Sequence, residues 1–263
     1  TRVPCTLYPM NWWVHSAYES GGIVLLFSWA FWVIFSIVLH ELAHGWAAIA
    51  NGDNTPREMG HMTMNPIVHM GRMSLIFFAI AGIAWGLMPI NPHRFRHERR
   101  GRVLVAAAGP AMNLLLAFIT LTAAGTWAWA VANGRITVAE HTAANVAQFL
   151  FWGGFINLVL GAFNLLPIPP LDGSAILAGA HPALDRFYNT PAVRMYGMLV
   201  VLFFFFGVID VPLQRTMGKA ASNYVNWVED RLMGPGAVSA SDALPADEED
   251  PDNSAAEAMP PGN

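Results

Sequence analysis

Four apolar stretches decide what this chain can fold into. Residues 22–49, 103–133, 145–166 and 193–213 are each long and apolar enough to cross a hydrocarbon core about 30 Å thick. Residues 21–39, GGIVLLFSWAFWVIFSIVL, hold no Asp, Glu, Lys or Arg, and none occurs from Val103 to Gly134 or from 142 to 171. Only 12% of the residues are charged, against about 25% in soluble domains. The expected fold is an all-α polytopic membrane protein with four or more transmembrane helices.

A fifth run, 73–90 (MSLIFFAIAGIAWGLMPI), is borderline in length and runs straight into NP. The loops decide how to read it. Arg94, Arg96, Arg99, Arg100 and Arg102 precede the second span and should be cytoplasmic by the positive-inside rule. If 73–90 dips in and returns, the loops at 50–72 and 172–194 join them, and nine of the 14 basic residues fall inside. The charge bias therefore favours a re-entrant segment. Such backbone is tolerated at membrane depth where other protein covers it.

Residues 1–21 form an N-terminal extracytoplasmic segment on this reading, 22–213 the membrane core, and 214–233 an interfacial amphipathic helix. Residues 234–263 are rich in Pro, Ala, Ser and acids and should be a disordered acidic tail. The last 32 residues hold seven acids and no base, whereas the first 231 carry a net +3. This pattern gives no reason to expect nucleic-acid binding. The single cysteine, Cys5, excludes an internal disulfide.

The first span closes on VLHELAHGW, residues 38–46. HELAH has the form HExxH. His40 and His44, four apart, lie on one helix face one turn from each other, so both rings can reach one metal ion. Glu41 follows His40 at once, placed to reach a metal-bound water without being a ligand. In zinc peptidases a glutamate so placed is the general base. The alternative is a set of buried polar residues bonded to neighbouring helices. Three ionisable groups within five residues of a membrane helix are costly and favour the metal.

Catalytic zinc takes a third protein ligand and keeps one position open. Outside HELAH the apolar segments offer Asp172, in FNLLPIPPLDGSAIL (163–177), directly after the third span. Pro167, Pro169 and Pro170 cannot continue a helix and should turn the chain into an extended segment. Asp172 also suits the N-cap of a helix over 174–180, and capping and ligation are compatible. His40 and His44 end one inward-going span and Asp172 follows another, so the three share a depth. The second span begins there too, with AAAGPAMNLLLA (106–117). Gly109 permits close helix approach, and Asn113 reads as a packing residue that can hydrogen-bond across the interface.

HELAH in the first span, GPAMN in the second and NLLPIPPLDG after the third resemble the site-2 protease family of intramembrane zinc metallopeptidases. GHMTMNPIVHMG (60–71) and PINPHRFRHERRG (89–101) resemble its subgroup without a PDZ domain. The resemblance covers residues 21–213. It implies that His40, His44 and Asp172 bind one Zn2+ per chain and that Glu41 is the base. Asn164, eight residues before Asp172, matches the family asparagine that holds the substrate carbonyl or oxyanion. One departure is AWGLMPINP, where the subgroup has an aromatic-Ala-Lys-Pro run before NP; no lysine stands here.

The implied protein is a zinc metalloendopeptidase of a bacterial cell membrane. It would hydrolyse a peptide bond within or near a transmembrane segment of a single-span membrane protein, as in regulated intramembrane proteolysis. The lipid bilayer is its other partner. The substrate must be held extended, and β-addition to an edge strand would do so. GHMTMNP (60–66) is the candidate edge, a short interfacial β element. A non-catalytic membrane protein that binds zinc or substrate through the same fold is the alternative.

Overall fold

The computed structural model describes residues 13–204 and 210–233, which form nine α-helices. In chain order these are α1 (Trp13–Ala50), α2 (Thr55–Glu58), α3 (Pro66–Ala81), α4 (Glu98–Ala132), α5 (Glu140–Asn164), α6 (Asp172–Ala180), α7 (Pro182–Tyr188), α8 (Pro191–Phe204) and α9 (Asp210–Met233). No β-strand occurs among the described residues. Three helices are long and apolar enough to cross a membrane: Gly21–Ala50 of α1, α4 and α5. They coincide with the first three predicted spans. The chain is thus an all-α membrane protein. The fourth predicted span is helical in α8 as far as Phe204, and its residues 205–209 lie outside the described residues, as do 1–12 and the acidic tail from 234.

Small residues let the three spans pack closely, since lipid offers no hydrophobic drive for helices to associate. Gly153 of α5 faces the Trp32 indole so closely that a Cβ there would lie 2.5 Å from it, and Trp32 Nε1 donates to Phe149 O (2.8 Å). Gly154 meets Leu121 of α4 in the same way. Trp32, Val33, Ile37, Met70, Phe78 and Ile156 form the apolar core that joins α1, α3 and α5. Helix α9 lies along α4, with Ala221 and Val228 buried and Val228 against Gly125.

The connection between α1 and α4 follows a different path from the one the sequence suggested for its edge element. GHMTMNP (60–66) forms no strand: His61 N–H donates to Pro56 O and Thr63 N–H to His61 O, with bends at Thr63 and Met64. Helix α3 breaks at Gly71, whose φ of +68° suits glycine alone, and ends at Gly82. Backbone without assigned helix or strand then runs from Ile83 to Asn91, back along α3. Ser74 Oγ accepts from Trp85 N–H (2.8 Å) and donates to Trp85 O (2.7 Å), and Leu87 N–H donates to His69 O (2.9 Å). Buried Asp53 receives its end, accepting Asn91 N–H at 2.7 Å and Thr55 N–H at 3.0 Å. Arg94 pairs with Glu58 (2.6 Å) and Arg96 N–H donates to Asn51 O (2.8 Å). The chain after α1 and the chain before α4 are therefore bonded to each other.

Candidate metal centre

Helix α1 puts Ser36, His40 and His44 in one line, each one turn from the next, with the two histidines against α4 and Ser36 against Asn157 of α5. Both histidines are buried, as is Glu41. His40 Nδ1–H donates to Asn113 Oδ1 of α4 (2.6 Å), and His44 Nδ1–H donates to Val105 O of the same helix (2.7 Å). With both Nδ1 positions engaged as donors, each ring presents its Nε2 lone pair. The two Nε2 atoms lie 3.0 Å apart.

Asp172 opens α6 and closes the site from the other side. Its carboxylate does not cap its helix. Oδ2 stands 3.0 Å from His40 Nε2 and Oδ1 3.4 Å from His44 Nε2. The preceding prolines wind through local turns rather than an extended run: Ile168 N–H bonds Leu166 O and Leu171 N–H bonds Ile168 O. Three prolines remove donors, and the remaining N–H groups close on near carbonyls. Gly173 makes the return possible, because a Cβ there would strike the carbonyls of Leu165 and Leu166.

The arrangement fits a metal ion. The ligand atoms of His40, His44 and Asp172 lie within 4.8 Å of one another, the only such group among the described residues. Two Nε2 lone pairs converge where neither can donate to the other. Asp172 Oδ2 is buried and makes no hydrogen bond. Gly109 of α4 completes the cradle: a Cβ there would fall against His44 Nε2 and 2.5 Å from His40 Nε2. Two nitrogens and one carboxylate oxygen are a catalytic zinc donor set, with a position left for a reacting oxygen.

Glu41 lies beside the cluster, outside the ligand set. Its carboxylate rests on Gly86 of the segment after α3, where a Cβ would collide with Oε1 and stand 2.6 Å from Cγ. One turn on, bare Gly45 makes room for Met62 and Met88, which meet over it. Asn164 ends α5, half-buried, and its amide donates to Leu160 O (3.1 Å) within its own helix and not to the cluster. Sequence reasoning did not find Gly86 beside Glu41, the bond of Asn113 to His40, or the further bond from Asn113 to Asn157. The polar residues within uncharged spans were the available signal.

A buried two-histidine, one-carboxylate centre with an adjacent glutamate, set among apolar spans, defines a membrane-embedded metallopeptidase. The sequence model of peptidase family M50 matches residues 28–208. YwhC of Bacillus subtilis, described as a candidate zinc metalloprotease, is 38% identical over 176 residues, which are 66% of this chain and 77% of that protein. Rip2 of Mycobacterium tuberculosis, described in the same way, is 27% identical over 212 residues, 73% of this chain and 74% of its own. No solved structure gives a significant match. The chain belongs to peptidase family M50, the site-2 proteases. It is a multi-pass membrane metallopeptidase whose cofactor is zinc, and the Bacillus and mycobacterial relatives fit a bacterial cell membrane.

Proposed function

We propose that this protein cleaves a peptide bond within or near the transmembrane segment of a single-span, membrane-tethered protein. The observation that carries the reading is Glu41, buried beside His40, His44 and Asp172 and in no ion pair with a Lys or Arg among the described residues. Bound zinc supplies Lewis acidity to the scissile carbonyl and acidifies water. Glu41 accepts a proton from the attacking water and returns it to the leaving nitrogen. Asn164 turns its amide from Leu160 O towards the developing oxyanion, a donor of the kind that stabilises such charge. His40 and His44 keep their Nδ1 protons throughout, held by Asn113 and Val105.

The segment 73–90 is re-entrant on this proposal, with both ends cytoplasmic. Its support is the set of bonds between the chain that precedes it and the chain that follows it: Asp53 with Asn91, Glu58 with Arg94, and Asn51 with Arg96. The substrate pairs with the segment 83–91 in place of 60–66. Trp85 and Leu87 bond to α3. Gly86 and Met88 lie beside Glu41 and Gly45, and their N–H groups have no partner among the described residues. A substrate strand added there lies beside the base. Single-span segments co-reconstituted with the protein in liposomes provide the test. Wild type should cleave a subset of them. Glu41→Gln should keep its zinc and lose cleavage by at least about a hundredfold, since an amide cannot take the proton. Normal cleavage by Glu41→Gln would remove the proposed base.

A further inference from the structure

We infer that Asn157 is a positioning residue for the metal ligand His40, acting through Asn113. Four buried polar side chains form a closed ring through three spans. His40 Nδ1–H donates to Asn113 Oδ1 (2.6 Å), Asn113 Nδ2 donates to Asn157 Oδ1 (2.9 Å), and Asn157 Nδ2 donates to Ser36 Oγ and to Gly153 O, each at 2.8 Å. Ser36 lies one helical turn before His40, which closes the ring on α1. Ser36, Asn113 and Asn157 are wholly inaccessible to solvent. Proteolytic chemistry uses none of their atoms, yet polar groups without a partner are expensive at this depth.

The ring has a direction, set at its far end. A backbone carbonyl can only accept, so Gly153 O requires the amide nitrogen of Asn157 on its side. That places Asn157 Oδ1 towards Asn113. Oδ1 also only accepts, so Asn113 must turn its own nitrogen to it and its oxygen to His40. His40 must then carry its proton on Nδ1 and offer Nε2 to the metal. The other histidine needs no such chain, because Val105 O fixes His44 directly. The tautomer of one ligand is thus set by main chain, and that of the other by a relay two side chains long. Remove Asn157, and the Asn113 amide is free to rotate and present its nitrogen to Nδ1. That geometry favours the tautomer that blocks Nε2. Partners of metal-bound histidines typically tune metal affinity in this way.

The inference rests on His40 as a zinc ligand, and the experiment separates the two. Purified full-length protein in detergent is titrated with zinc against a competing chelator, and its cobalt form is examined by visible absorption. Asn157→Leu should bind zinc about tenfold more weakly than wild type and show an altered cobalt spectrum. Adding Asn113→Asp should restore affinity to within about threefold of wild type, because a carboxylate accepts from Nδ1 in either orientation and needs no partner to aim it. A packing role for Asn157 gives no such rescue. Wild-type affinity and spectrum in Asn157→Leu would overturn the relay, as would a double variant no tighter than the single. Should Asn157→Leu fail to fold, the comparison becomes Asn113→Asp with and without it. Equal zinc affinity supports the relay, and a double variant that also fails to fold rejects it in favour of packing. Absence of zinc from the wild type would overturn the metal reading itself, and the relay with it.

Discussion

Gly109 of α4 lies against both histidine rings, and the cost of a methyl group there is direct. An alanine Cβ would occupy the space of His44 Nε2 and crowd His40 Nε2. Neither ring can retreat, since each is held at Nδ1. Overpacking of this kind costs about 1–3 kcal/mol, and here it falls on the ligand atoms. Gly109→Ala should therefore lose zinc affinity by about tenfold or more, read by chelator competition, with the helices retained by circular dichroism. Zinc bound as in wild type would show that the helices can separate at no cost. HELAH was legible in the sequence because helical periodicity turns a spacing of four into one face. Asp172 was legible because it is the acid directly following an uncharged span. The bond of Asn113 to His40 and the contact of Gly86 with Glu41 were not, because each depends on which face of a second element meets α1.

The segment from Ile83 to Asn91 is held at one end by the Asp53 carboxylate. Asp53 has no solvent exposure, and it gathers the Asn91 and Thr55 N–H groups and the Thr55 hydroxyl. Burial alone would raise its pKa. The hydrogen bonds from Thr55 and Asn91, with Arg94 nearby, outweigh burial and hold it below the ordinary carboxylate value. A depressed folded-state pKa contributes stability above the unfolded value, near 3.9, and that contribution is lost as pH falls through the folded value. The segment should loosen in acid below about pH 4 and be indifferent to pH between about 5 and 8 as far as this group is concerned. Asp53→Ala should cost about 1–3 kcal/mol by leaving buried donors unpaired, measured as a lower Tm at neutral pH that no longer falls as steeply in acid. An unchanged Tm would show that Asn91 finds another acceptor. The sequence marked this region as the unusual part of the chain through GLMPINP and its five arginines. No strand forms at 60–66, and the turn bonds of His61 and Thr63 leave no trace in composition.

Three spans, the returning segment and the α5–α6 turn bring residues from five parts of the chain together. The buried ring of Ser36, His40, Asn113 and Asn157 ties the spans together there, while the bonds of Asp53, Glu58 and Asn51 tie the loops on one side. Both ends of the 73–90 segment should then face the cytoplasm. Cysteines introduced at exposed Asn54 and His97, with Cys5→Ser, should resist an impermeant thiol reagent in intact cells and react in inverted vesicles. Opposite labelling of the two would refute the re-entrant path. The span boundaries were readable from hydropathy because lipid admits so few structures; the closure of the site was not, since it depends on turns at Gly82 and Gly173 that composition does not order in space. The account stands or falls on Asp172 as the third ligand. Metal analysis of purified protein after exposure to a chelator should find one zinc per wild-type chain, and Asp172→Ala should hold it more than about a hundredfold less tightly, beyond what loss of an outer partner costs. Full zinc retention by a folded Asp172→Ala protein would contradict it.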